Sequence, residues 1–169
     1  MWFITLQAFQ DILRDYPDHL EANADSGSFN FVLEEYDEAI KCTSNLFGRN
    51  VTHIPYTYLA RGYGAKGLYE KAAECLRYYL ENVREEEEVY SQLALVYLCQ
   101  ANQNRALLEI EKSPKSGPNL SHLYAFGRIL YCQEDFNEAE TAFKDLSIIG
   151  INVIHNASSF SRHFTWLSW

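Results

Sequence analysis

The side chains able to do chemistry are few in this 169-residue chain, and they are scattered. Histidines stand at His19, His53, His122, His155 and His163, and cysteines at Cys42, Cys75, Cys99 and Cys132. A zinc site needs several ligands, usually delivered as close pairs of the CxxC or HxxxH kind. No such pair occurs. The cysteines lie 33, 24 and 33 residues apart, and His155 and His163 have no acidic residue near them from position 146 onward. No GxGxxG, P-loop or GxSxG string is present either. The expectation is a non-enzyme, with no catalytic residue, metal or cofactor. The remaining dense feature is Glu85-Glu86-Glu87-Glu88. Carboxylates that precede or open a helix are stabilised by its dipole, each by about 0.3–1 kcal/mol, and that role is expected here rather than binding.

The cysteine spacing is informative because 33 recurs. Four segments share one form: Glu35-Tyr36-Asp37-Glu38-Ala39, Leu68-Tyr69-Glu70-Lys71-Ala72, Asn102-Gln103-Asn104-Arg105-Ala106 and Asp135-Phe136-Asn137-Glu138-Ala139. Their closing alanines are 33, 34 and 33 apart, and twelve residues before each stands Gly27, Ala60, Ala94 or Gly127. Further columns run in register: Ser26, Leu59, Leu93 and Phe126, then Thr43, Leu76, Ile110 and Phe143. Apolar residues recur at helical spacing, as in Tyr56, Leu59, Tyr63 and in Tyr90, Leu93, Tyr97. Only four prolines and eight glycines interrupt a chain that is 47% apolar, so helices joined by short turns must position whatever the chain presents. Small residues in register let two helices approach closely. The aromatic ahead of the second helix (Tyr36, Tyr69, Phe136) can wedge between units.

This pattern resembles the tetratricopeptide repeat (TPR), a helix–turn–helix of about 34 residues with a W-x₂-L-G-x₂-Y…A-x₃-F…P signature. The resemblance implies an all-α, right-handed α-solenoid: a single TPR array over residues 1–169 with about ten helices. It divides into a half repeat (second helix) at 1–19, units at 20–52, 53–86, 87–119 and 120–153, and a half repeat or terminal helix at 154–169. Phe160 and Phe164 take packing positions in that last segment. The departures are specific. Asn23, Ser26 and Asn30 replace large apolar residues in the first helix of unit one, whose regularity is therefore in question. Gln103 replaces the aromatic wedge of unit three, and its second helix is predicted to stop at Ser113-Pro114, before the loop Lys115-Ser116-Gly117-Pro118-Asn119.

The resemblance also implies a function. In TPR arrays the first helices line a concave groove, and such grooves take extended or helical peptides. The family's groove-facing positions fall on Tyr58, Arg61, Gln92, Leu95, Tyr124, Arg128 and Tyr131. Tyr and Arg are frequent binding hot spots. The expected function is a non-catalytic protein–protein interaction scaffold or adaptor that binds a peptide segment or partner subunit there. The alternative is a structural fragment of a larger TPR subunit of an obligate complex. It would associate through apolar terminal helices, with Trp2 and Phe3 at one end and Phe164-Thr165-Trp166-Leu167-Ser168-Trp169 at the other. An array that begins and ends inside a repeat suggests a piece of a longer protein. The family's carboxylate clamp uses Lys and Asn to hold Hsp70 and Hsp90 C-terminal peptides. Its positions hold Ala24, Ser28, Thr57 and Arg61 here, so those peptides are not expected partners.

Charge narrows the partners further. With 23 acidic and 14 basic residues the net charge is −9, and no basic face is available for a phosphate backbone. Nucleic acid is not an expected partner, which also counts against an RNA-reading helical repeat of similar period. The acids fall mainly on predicted second helices and turns, so the convex face is expected to be acidic and solvated. No apolar run reaches 18 residues, so no membrane span is expected. Without a basic, cleavable leader and with cysteines unpaired in sequence, the expected location is cytoplasmic, with a ciliary or nuclear complex as the alternative.

Overall fold

The computed structural model describes residues 2–49, 52–114 and 119–156. They form α1 (Trp2–Asp15), α2 (Leu20–Val32), α3 (Tyr36–Ser44), α4 (His53–Ala65), α5 (Tyr69–Asn82), α6 (Glu87–Cys99), α7 (Gln103–Lys112), α8 (Leu120–Cys132) and α9 (Phe136–Asn156), with no strand among the described residues. α7 stops at Lys112, where Ser113-Pro114 predicts, because the residue before a proline is driven out of the helical region. α9 does not stop at 153. It runs on to Asn156, since no proline follows Leu146 and a single Gly150 costs a helix only about 1 kcal/mol. The first three residues of the tenth helix expected from 154 belong to α9; the rest of it, the terminal aromatic segment and residues 115–118 lie outside the described residues.

The turns inside each unit repeat as faithfully as the sequence columns. Glu34 (φ 63°), Gly67 (φ 71°), Ala101 (φ 56°) and Glu134 (φ 66°) all take the left-handed conformation. After each, the next amide reaches back to a carbonyl five residues earlier: Glu35 to Asn30 at 2.9 Å, Leu68 to Tyr63 at 2.8 Å, Asn102 to Tyr97 at 2.9 Å and Asp135 to Leu130 at 3.0 Å. This bond closes the first helix and folds the second back onto it. Glycine fills only one of the four positions. The turn is therefore imposed by the packing of the helices and not by residue preference alone.

The helices form two layers. Among the described residues α2 touches α4, α4 touches α6 and α6 touches α8, whereas α3, α5, α7 and α9 make no contact with one another. The even-numbered helices are the inner layer and the odd-numbered ones the outer. The small-residue columns lie where the layers meet: Ala39, Ala72, Ala106 and Ala139 are at most 2% exposed. A Cβ on Gly27 would come 2.3 Å from Thr43 Cγ2, and one on Gly127 2.7 Å from Phe143 Cε1. The columns read from the sequence are thus direct neighbours in space. One continuous apolar core runs from α4 to α8 through Tyr56, Leu76, Tyr79, Val89, Leu93, Tyr97, Ile110 and Ile129. In unit one α2 is a regular helix as long as α4, and Asn23, Ser26 and Asn30 are buried in it. Gln103 compensates for its missing ring by donating to the Cys132 carbonyl of α8 at 2.7 Å.

Candidate functional site

The inner helices α4, α6 and α8 each contribute one stripe of side chains. On α8 a spacing of four brings Tyr124 and Arg128 together. Arg128 Nη1 donates to Tyr124 Oη at 2.9 Å, and the guanidinium carbon lies 5.7 Å from the ring centroid. On α4 a spacing of three sets Tyr58 beside Arg61. The Arg61 guanidinium sits 4.3 Å over the Phe31 ring of α2 and 5.6 Å from the Tyr58 ring. Arg61 is only 5% exposed. Burial pulls its pKa below the ordinary arginine value, opposed by Tyr58, Glu88 and Tyr36 nearby, and the group stays charged. On α6, Gln92 Nε2 donates to Glu88 Oε1 at 3.3 Å.

Arg61, Gln92, Leu95, Tyr124 and Arg128 line one hollow of about 30 Å³, whose walls are completed by Tyr69, Leu76, Val96 and Cys99. Five of the seven groove residues named from the sequence therefore meet at one place. Tyr58 does not line the hollow; it braces Arg61 from the side. Tyr131 lies apart, at the end of α8. It is 59% exposed, its ring is 5.4 Å from that of Phe136, and it borders a separate depression with Phe143. Phe31 was not legible as a brace, because nothing in the α2 sequence shows that its ring reaches across to α4. Tyr69 was legible as a wedge but not as a wall of the hollow.

The acidic run does more than face a helix dipole. Glu87 and Glu88 open α6, but Glu86 accepts from Tyr79 Oη at 3.1 Å, contacts His53 Nδ1 and lies 3.7 Å from Arg84 Nε. Glu87 Oε1 lies 3.7 Å from His122 Nδ1 on α8. The run fastens three consecutive units. The cysteines are free thiols. Burial pushes Cys75 up to about 12, with the charge of Glu74 adding to it. Burial also raises Cys99, against the opposing pull of Arg128. Among the described residues no helix is long and apolar enough to cross a membrane, and no cluster of His, Cys, Asp or Glu is arranged to hold a metal. The hollow offers two guanidinium groups, a carboxamide and two phenols around an apolar floor.

Stacked two-helix units with small-residue columns at these intervals define a tetratricopeptide-repeat solenoid, and solved structures agree. The chain is similar to a thermophilic TPR protein of Thermus thermophilus (TM-score 0.73, 16% identity, 91% of each chain covered). It is also similar to MamA (TM-score 0.69, 16% identity, 89% of each chain). A third likeness is to YrrB, described as a TPR protein with an unusual peptide-binding site (TM-score 0.62, 15% identity, 84% of this chain and 74% of that one). Identities this low establish the fold and nothing further. No protein-family model matches the chain, and no curated protein matches its sequence. The chain has the TPR fold.

Proposed function

We propose that the chain is a non-catalytic interaction scaffold that takes a peptide segment, free or part of a partner subunit, along its inner layer, with the Arg61–Gln92–Arg128 hollow as anchor. The observation that carries this is the convergence of five side chains from three successive units on one concave spot. A segment laid across α4, α6 and α8 would meet each unit in turn, and a TPR neighbour with a peptide-binding site makes the mode physically reasonable. The test is affinity capture from lysate with the wild-type chain, with Tyr58→Ala/Arg61→Ala/Tyr124→Ala/Arg128→Ala, and with Tyr124→Ala/Arg128→Ala, which leaves buried Arg61 intact. Circular dichroism confirms that each variant is folded. Loss of partners in both variants is expected. Retention of every partner by both overturns the proposal.

A second reading has its own support. Tyr131 (59% exposed) and Phe136 (55%) leave an apolar face on α8 and α9, where they border one open depression with Phe143. A face of that kind suits docking within an obligate complex. A monodisperse monomer in light scattering at high concentration would count against it.

A further inference from the structure

We infer that the hollow between α4, α6 and α8 recognises a single carboxylate side chain, an Asp or Glu set among apolar residues of the bound peptide, through Arg128. The inference rests on the groove reading above. The outer helices α3, α5, α7 and α9 carry ten acidic residues and the inner helices α2, α4, α6 and α8 only four, with none on α4 or α8. The two on α6 are engaged: Glu87 with His122, and Glu88 with Gln92 and in the field of Arg61. Arg128 is different. Its Nη1 donates to the neutral Tyr124 phenol, and among the described residues it forms no ion pair.

A guanidinium has five N–H donors in a planar fork. One bond to a phenol fixes its position and leaves the fork open for a carboxylate. Leu95 and Val96 wall the same hollow, so a pair formed there is partly screened from water and correspondingly strong. The size agrees. A hollow of about 30 Å³ has room for a small polar head such as a carboxylate. The overall charge of −9 then decides how many acids the peptide carries. A run of acids is repelled by the whole molecule over a Debye length of about 8–10 Å, whereas one carboxylate in contact with Arg128 is not. The chemistry that fits is one acid flanked by apolar side chains.

The test selects a random phage-displayed dodecapeptide library on the wild-type chain. The winning peptide and its Glu→Gln (or Asp→Asn) version are then measured by fluorescence polarisation on wild type, Arg128→Gln, Arg128→Lys and Leu95→Trp. Leu95→Trp fills the hollow. Winners are expected to carry one acid at a fixed register. Neutralising that acid should weaken binding about tenfold on wild type and less than about twofold on Arg128→Gln, with Arg128→Lys between, because it keeps the charge without the fork. Winners that Leu95→Trp blocks but that ignore both the neutralised acid and Arg128→Gln would overturn the carboxylate inference and leave the groove reading standing. Winners that Leu95→Trp does not block would overturn both. Thermal melts by circular dichroism certify the fold of each variant.

Discussion

Unit one and the two units that follow it share one backbone plan and fill it with different chemistry. Between α2 and α3 the interior is polar. Asn23 Nδ2 donates to the carbonyls of Pro17 at 2.8 Å and His19 at 2.9 Å, and its Oδ1 accepts from Asn45 at 3.3 Å. Ser26 Oγ accepts from Asn30 at 3.4 Å and from the Cys42 thiol at 3.5 Å. From α4 to α6 the equivalent space holds Tyr56, Leu76, Tyr79, Val89, Leu93 and Tyr97. A satisfied hydrogen bond adds about 0.5–1.5 kcal/mol net, while a fully buried large apolar side chain adds about 1.5–3. The two regions therefore show that repeat geometry and repeat stability are separate matters. Bonds and small columns suffice to keep unit one in register, and the apolar core from α4 to α8 supplies most of the stability. Unit one is the part expected to open first, and hydrogen exchange should show α2 and α3 amides exchanging before those of α5 and α6.

The largest effect that would sharpen this contrast comes from one column. Leu93→Ala should cost about 2–5 kcal/mol in chemical denaturation, and Ser26→Ala, at the equivalent position, about 1 kcal/mol. Equal costs would erase the distinction between the cores.

Alkaline titration probes the apolar side next. Cys75 and Tyr79 are both held up at about 12 by burial, from ordinary values of 9.0 and 10.0. In the unfolded chain they lose their protons first, so the stability they contribute is whole below pH 9 and falls as pH rises toward 12. A loss of about 3 kcal/mol from Cys75 by pH 11 is expected in denaturation curves. Cys75→Ala should flatten that limb, and an unchanged slope would refute the assignment.

Smaller differences separate the two glycines. At Gly27 the new methyl meets Thr43, a β-branched residue 1% exposed, so Gly27→Ala should destabilise by about 1–2 kcal/mol even after gaining helix propensity. At Gly127 it meets only the edge of the half-buried Phe143 ring, which can swing aside, and Gly127→Ala should stay within about 0.5 kcal/mol of neutral. Melts that reverse this order would show that unit one is the looser packing environment at atomic contact as well.

The smallest expected effect is a gain. Ala101 and Glu34 hold positive φ at equivalent turns, so Ala101→Gly and Glu34→Gly should each stabilise by about 0.5–1 kcal/mol. If only Ala101→Gly raises the melting temperature, global unfolding does not sense unit one.

The sequence by itself determined the period, the starts of the even-numbered helices and the two small-residue columns. Helical spacing and the exclusion of bulk at close approaches are written in local residue types and their intervals. It also placed the acids mainly on the outer helices, and of the seven groove positions it suggested, five line one hollow. Tertiary structure decided what meets across units, through contacts some thirty residues apart that no local pattern encodes. Packing forced Glu34, Ala101 and Glu134 into left-handed turns that their side chains do not prefer. It turned the Glu85–Glu88 run from helix-end charges into fasteners between units. It also sank Arg61 against Phe31, separated Tyr131 from the other groove residues, and left Arg128 pinned by a phenol with no ion-pair partner among the described residues. Which of two arginines in equivalent positions keeps its charge available depends on the rings and carboxylates that neighbouring helices bring to it.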